Sequence, residues 1–98
     1  VIVIRNVVTV KLRADADPAR VGALVEAFKA MDCPGTLSYT VGTDAGFREG
    51  NWSLAIVADF VDVDSYRGYD ADAEHNRLRA ELAQLAEAIT RVQLDLAD

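Results

Sequence analysis

The sequence predicts one α+β domain spanning residues 1–98, in the order β-α-β-β-α-β. This is the ferredoxin-like arrangement, a four-stranded antiparallel sheet with its helices on one face. Three observations predict it. Apolar and polar residues alternate with period two near the start, in the middle and at the end of the chain. In two intervening stretches apolar residues recur every three or four positions. Aspartates open the helical stretches, and a proline–glycine pair closes the first.

Residues 1–13 form the first strand. Ile2, Ile4, Asn6, Val8, Val10 and Leu12 share one face, and Val1, Val3, Arg5, Val7, Thr9, Lys11 and Arg13 share the other. Asp17 then caps a helix with Pro18 at its first position, where the missing N–H costs nothing. Val21, Leu24, Val25, Phe28 and Met31 carry its apolar face to about residue 31, and Cys33-Pro34-Gly35 stops it. A short strand over 36–41 leads into a glycine-rich connection over 42–50, read as a solvated turn with a mobile pocket cover as the alternative. Residues 52–61 give the clearest strand: Trp52, Leu54, Ile56, Ala58 and Phe60 on one face, Ala55, Val57 and Val61 on the other. Trp52 and Phe60 read as core. Asp62 opens a short helix that ends near 68–70, and Asp72 caps a longer one running to about Glu87. His75, Leu78, Leu82, Leu85 and Ile89 make its apolar stripe. Val92, Leu94 and Leu96 alternate with Arg91, Gln93 and Asp95 in a closing strand.

Helices on one face leave the other face of the sheet unprotected. Yet Val1, Val3, Val7, Ala55, Val57 and Val61 make that face apolar too. Each such side chain left in water forgoes about 1.5–3 kcal/mol of burial, so the pattern predicts a homodimer closed sheet to sheet, in which one patch is buried twice.

The formal net charge of −6 argues against a nucleic-acid partner, which calls for a basic stripe, and against a polybasic membrane anchor. The apolar start is broken by Arg5 and Asn6, a strand pattern rather than a signal peptide or membrane span. One cysteine, Cys33, forms no internal disulfide, and with no Cys/His cluster the sequence implies neither zinc nor any other metal or cofactor. A reducing cytoplasm is the expected compartment.

His75 is the single histidine and heads an otherwise apolar stripe, six residues after Tyr69. It is the nearest approach to a chemical site. Asp62, Asp64, Asp70, Asp72 and Glu74 look like a carboxylate cluster, with Glu81 at the twelfth position of a calcium loop counted from Asp70. His75 occupies the slot that such a loop reserves for glycine, so helix capping explains these acids more simply. Gly46 and Gly50 lack the Gly-Lys-Ser/Thr of a phosphate loop.

Several stretches are similar to one family: Arg5-Asn6-Val7-Val8-Thr9-Val10-Lys11-Leu12, the Pro34-Gly35 turn, Val41-Gly42-Thr43-Asp44, and the run from Trp52 through Phe60 to Tyr69 and His75. Together they resemble the stress-responsive dimeric α+β barrel (Dabb) family over nearly the whole chain. The resemblance implies a ferredoxin-like protomer and a homodimeric barrel. One family member, a plant olivetolic acid cyclase, closes a linear polyketide thioester by aldol condensation with a tyrosine and a histidine. On this chain that pair falls on Tyr69 and His75, the implied catalytic residues. Where the family often has a histidine on the first strand this chain has Asn6, and Asp72-Ala73 stands in place of its His-Pro pair.

A histidine in an apolar pocket is held neutral and can accept a proton, while a tyrosine hydroxyl can hold a carbonyl oxygen as charge develops on it. The expected walls are Asn6, Val8, Val10, Phe28, Leu54, Ile56 and Leu78, an apolar pocket with few polar groups. Against this stands a plain alternative, that His75 packs or caps a helix and Tyr69 merely buries its ring. The expected function is therefore a small homodimeric module that binds a hydrophobic small molecule or is structural. The alternative is a cofactor-free enzyme of the polyketide-cyclase type.

Overall fold

A computed structural model of the chain describes residues 3–96. Its elements are β1 (Ile4–Leu12), α1 (Pro18–Lys29), β2 (Thr36–Thr43), β3 (Leu54–Phe60), α2 (Val63–Ala71), α3 (Ala73–Leu85) and β4 (Ala86–Asp95). The strands form one antiparallel sheet in the order β2-β3-β1-β4, so the fold is ferredoxin-like with its second helical segment broken in two.

Alternation in the sequence becomes alternation in space. On the helix side Asn6 faces Ala58, Val8 faces Ile56 and Val10 faces Leu54 across β1 and β3. Arg5 opposite Asp59 and Val7 opposite Val57 point to the other side. Each helix begins on an aspartate whose carboxylate accepts a backbone N–H: Asp17 from Ala19 at 3.0 Å, Asp62 from Ser65 at 2.8 Å, and Asp72 from His75 at 3.0 Å. Asp72 has extended backbone, ending α2 and starting α3 at one residue. This corner sets Tyr69 and His75 on its two sides. The main core joins Val10, Leu24, Phe28, Val41, Leu54, Ile56, Leu78, Leu82 and Leu85, and a smaller cluster joins Ala58, Phe60 and Tyr69.

Several boundaries differ from the sequence-based expectation. Helix α3 ends at Leu85 rather than near Glu87, and β4 begins at Ala86, well before residue 91. Ile89 is therefore not the fifth position of the helical stripe. It lies on β4 opposite Val10, and still faces the same core. The two periodicities coincide there because both elements pack the same apolar layer. Trp52 precedes β3 and is half-buried outside both core clusters, since the chain enters the strand only at Leu54. Phe60 is fully buried, as its alternation requires. Of the residues read as strand, Val1 and Ile2 lie outside the described residues.

The face away from the helices carries Val3, Val7, Ala55 and Val57, half-buried, beside the exposed Val92 and Leu94 of β4. Arg5 and Asp59 form a two-point ion pair in its midst, at 2.8 and 2.9 Å, which cancels their charges locally. Thr9 and Thr90 share a hydrogen bond across β1 and β4 on the same face.

Gly35 has a positive φ of 82°, and a Cβ there would overlap the Ser65 side chain. Gly46 has φ 81° in open space. Gly35→Ala should therefore cost more stability, about 2–3 kcal/mol or above against about 1 kcal/mol for Gly46→Ala. Urea denaturation of the two variants against wild type measures the difference, and equal losses would remove Ser65 contact from the account.

Candidate functional site

The helices do not cover the sheet evenly. Strand β4 is at the edge, and between it and the α2–α3 corner a cleft opens onto β1. Val8, Ile56 and Ile89 of the sheet and Phe28 and Leu82 of the helices give its apolar lining. Asn6, Tyr69 and His75 bring polar atoms to it, and Tyr66, Asp70, Arg79 and Arg91 form the more exposed rim. The enclosed space is about 40 Å³, room for a few waters or the end of a small molecule, and reaches about 460 Å³ with its open mouth.

His75 sits in the first turn of α3, 7 % exposed. Its ring stacks on Tyr69, centroids 3.9 Å apart and planes at 29°, and meets Phe28 edge-on at 6.4 Å. Its Nδ1 is buried and makes no hydrogen bond of good geometry to a described residue, although the Tyr69 carbonyl lies close enough to the ring to raise its pKa. A buried polar atom left so costs about 1–3 kcal/mol, and few native side chains carry that burden. Burial and then the nearby Arg79 guanidinium push the imidazole below its ordinary 6.5, outweighing Asp70, the Tyr69 carbonyl and Asp72. The ring is thus neutral at pH 7.

Tyr69 is buried against Phe60, and its hydroxyl is 2.8 Å from that of Tyr39. Burial raises the pKa of both phenols, so both stay protonated. If Tyr39 donates to Tyr69, the Tyr69 proton is left for another acceptor. The Asn6 side-chain oxygen accepts from Gln93 Nε2 at 2.7 Å, which fixes the amide at the cleft. Arg79 donates to the Asp70 carboxylate at 2.9 Å and carbonyl at 3.2 Å, and also to Asn76. Arg91 has no hydrogen bond or ion pair to any described residue.

Of the residues expected at a site, Asn6, Val8, Phe28, Ile56, Tyr69 and His75 meet at this cleft. Val10, Leu54 and Leu78 do not. They are buried in the core and make no wall of it, because the helices close over that part of the sheet. Residues 42–50 contribute nothing to the cleft either. Of the acids set aside as a calcium loop, Asp62 and Asp72 cap helices, Asp70 pairs with Arg79, and Glu74 and Glu81 pair with Arg77. Cys33 is half-buried, its thiol pushed up by burial, and no cluster able to hold a metal occurs among the described residues.

Sequence reasoning missed Tyr39, Tyr66, Arg79, Arg91 and Gln93. Tyr39 shares the inward face of β2 with Val41, which alternation would have shown. Arg91 and Gln93 were assigned to the polar face of the closing strand. That face turns toward the helices, over the one part of the sheet the helices leave open.

The family model described as Stress responsive A/B Barrel Domain matches residues 4–97. No curated protein matches the sequence. Among solved structures, a dimeric ferredoxin-like protein of unknown function from Thermobifida fusca YX is similar at 26% identity and a TM-score of 0.88, covering 97% of this chain and 92% of its own. A dimeric protein of unknown function and ferredoxin-like fold from Bacteroides fragilis NCTC 9343 is similar at 22% identity and TM-score 0.80, with 96% of each chain covered. A hydroxynitrile lyase from Passiflora edulis is similar at 14% identity and TM-score 0.84, covering 98% of this chain and 94% of its own. The last two likenesses concern the fold alone. No helix among the described residues is long and apolar enough to cross a membrane.

The depressed pKa of His75 fixes a sign. Below pH 6.5 the unfolded chain takes up a proton that the native imidazole resists, so stability falls as pH drops from 6.5 toward the folded-state value. The carboxylates of Asp59 and Asp62, held down by Arg5 and by Ser65, lose their contribution separately, below their ordinary 3.8. Urea midpoints between pH 7 and 5 should decline in wild type, and His75→Phe should flatten that decline. An unchanged slope in the variant would place the titration elsewhere.

Proposed function

Because this chain belongs to the stress-responsive A/B barrel family, we propose that it is a cytoplasmic homodimeric binding module. Two copies close sheet to sheet, and each cleft at Asn6, Tyr69 and His75 takes a hydrophobic small molecule. One observation carries the binding reading: the buried Nδ1 of His75 has no hydrogen-bond partner among the described residues, beside a cleft whose apolar lining is Val8, Phe28, Ile56, Leu82 and Ile89. A histidine kept only for packing would leave that atom a net cost, whereas a ligand hydroxyl or a carbonyl oxygen, according to tautomer, satisfies it. The small enclosed volume means that only one end of a ligand enters, with the rest in the open mouth.

The dimer rests on the outer sheet face. Val92 and Leu94 are exposed there next to half-buried Val3, Val7 and Val57, and the Arg5–Asp59 pair is already neutralised within the protomer. The Thermobifida and Bacteroides proteins are described as dimeric, which supports the same assembly here. Light scattering at micromolar concentration should give the mass of two chains. Val92→Lys, an exposed position that folding of the protomer tolerates, should give one. A monomeric wild type would sink the dimer.

A second reading is favoured by the neutral ring beside a neutral phenol. In the Nε2–H tautomer, His75 Nδ1 offers a lone pair that can take a proton from carbon next to a carbonyl, while Tyr69 donates to the carbonyl oxygen. The protein would then be a cofactor-free enzyme acting on a polyketide-like carbonyl substrate.

The single imidazole gives an unambiguous test. Titrating 2-octanone, a neutral apolar carbonyl compound, should move the His75 ring resonances in wild type, with affinity lost in Tyr69→Phe if that hydroxyl holds the carbonyl. Resonances that stay fixed would leave His75 as a packing residue. For the enzyme reading, His75→Ala and Tyr69→Phe must each abolish turnover with the dimer intact; a loss of several kcal/mol of stability in both would favour packing.

A further inference from the structure

We propose that the ligand of this cleft is a keto acid with an apolar body, whose carboxylate is held by Arg91 at the rim while the carbonyl at its other end enters toward His75. This inference rests on the reading of the cleft as a binding site and specifies the class of molecule it takes. The rim holds two guanidinium groups and one carboxylate. Arg79 and Asp70 are already paired with each other at 2.9 Å. Arg91 is the cation of the rim that forms no ion pair with a described residue.

Its position is set by the strand. On the helix side of β4, Ile89 opposite Val10 and Arg91 opposite Val8 stand two residues apart, about 7 Å along the sheet. Apolar lining thus passes directly into a cationic rim. The next residue on that face, Gln93, is engaged by Asn6 and does not compete for an anion. This cation is also not part of a generally basic surface, since the chain carries a net charge of −6. A lone exposed guanidinium is by itself ordinary. The second observation is on the lining of the same cleft, where His75 is more than nine-tenths buried and its Nδ1 has no hydrogen-bond partner among the described residues. One end calls for a ligand that enters, and the other selects an anion among ligands that do. A carboxylate matches one planar guanidinium through two parallel N–H···O bonds, whereas a dianionic phosphate calls for more donors than this rim offers.

7-Oxooctanoate is 2-octanone with its terminal methyl replaced by a carboxylate, and calorimetry with the His75 ring resonances reads binding of both to the full chain at low ionic strength. The oxo acid should bind about tenfold more tightly than the ketone. Arg91→Gln, at an exposed position, should bring the oxo acid down to the level of the ketone. Arg91→Lys should retain part of the preference, because charge survives but the fork is lost. Ketone binding with no preference for 7-oxooctanoate, or an equal loss of both in Arg91→Gln, overturns the assignment to an acid and leaves the binding site standing. If neither compound moves the His75 resonances, the binding reading fails with it.

Discussion

A sheet with two apolar faces and helices for only one of them is the constraint from which the rest of this structure follows. Strands β1 and β3 pair in a register that sends Val8, Val10, Leu54 and Ile56 to the helix side and Val7, Val57 and Ala55 to the other. The first set is buried within the chain. The second is only half-buried in a single protomer, beside the exposed Val92 and Leu94. A slip of one residue would exchange the two sets without improving the outcome, since both are apolar. What holds the register is polar. Arg5 meets Asp59 only in this alignment, and Asn6, were it turned outward, would lose Gln93.

The helix side repeats the same shortage on a smaller scale. Helices α1 and α3 seal the part of the sheet around Val10, Leu54 and Leu78, leaving beside Leu54 only an apolar void of about 10 Å³. Edge strand β4 is left partly bare, and the extended backbone of Asp72 breaks the second helical segment just there. That break turns Tyr69 and His75 face to face in a stack that a continuous helix would not produce at six residues' separation. The cleft is therefore a by-product of coverage, and its polar groups are those of the residues around the break and on the uncovered strand.

This origin explains what was legible in the sequence. Period-two alternation at 1–13 and 52–61 and aspartates at 17, 62 and 72 define elements by local rules, so strands, helix starts and their order could be read directly. The end of α3 could not, because Ile89 satisfies the helical spacing and the strand alternation at once. Six of the nine expected site residues meet at the cleft, since facing the helices was the only property the reading needed. Val10, Leu54 and Leu78 share that property but lie where the helices close, a tertiary fact with no local signal. Arg91 was hidden for the opposite reason. A charged residue in an alternating strand reads as solvent-facing, and here it is solvent-facing on the side where the helices lie.

The surroundings of His75 also weigh binding against catalysis. A histidine that acts as a strong base has a carboxylate behind it to favour the imidazolium. Here the nearby carboxylates are committed elsewhere, Asp72 to the His75 backbone N–H and Asp70 to Arg79. Their pull on the ring is weaker than burial and the Arg79 charge, which together hold it neutral. Tyr69 stacks on the imidazole and bonds to Tyr39, so its ring contributes a low-dielectric wall more than a charge. A neutral, poorly supported imidazole is a good hydrogen-bond partner for an uncharged ligand group. As a base it would abstract only protons already made acidic by an adjacent carbonyl. On the reading proposed above, these surroundings suit holding a molecule better than transforming one. Chemistry would begin here only if the ligand itself brought the charge that the protein withholds.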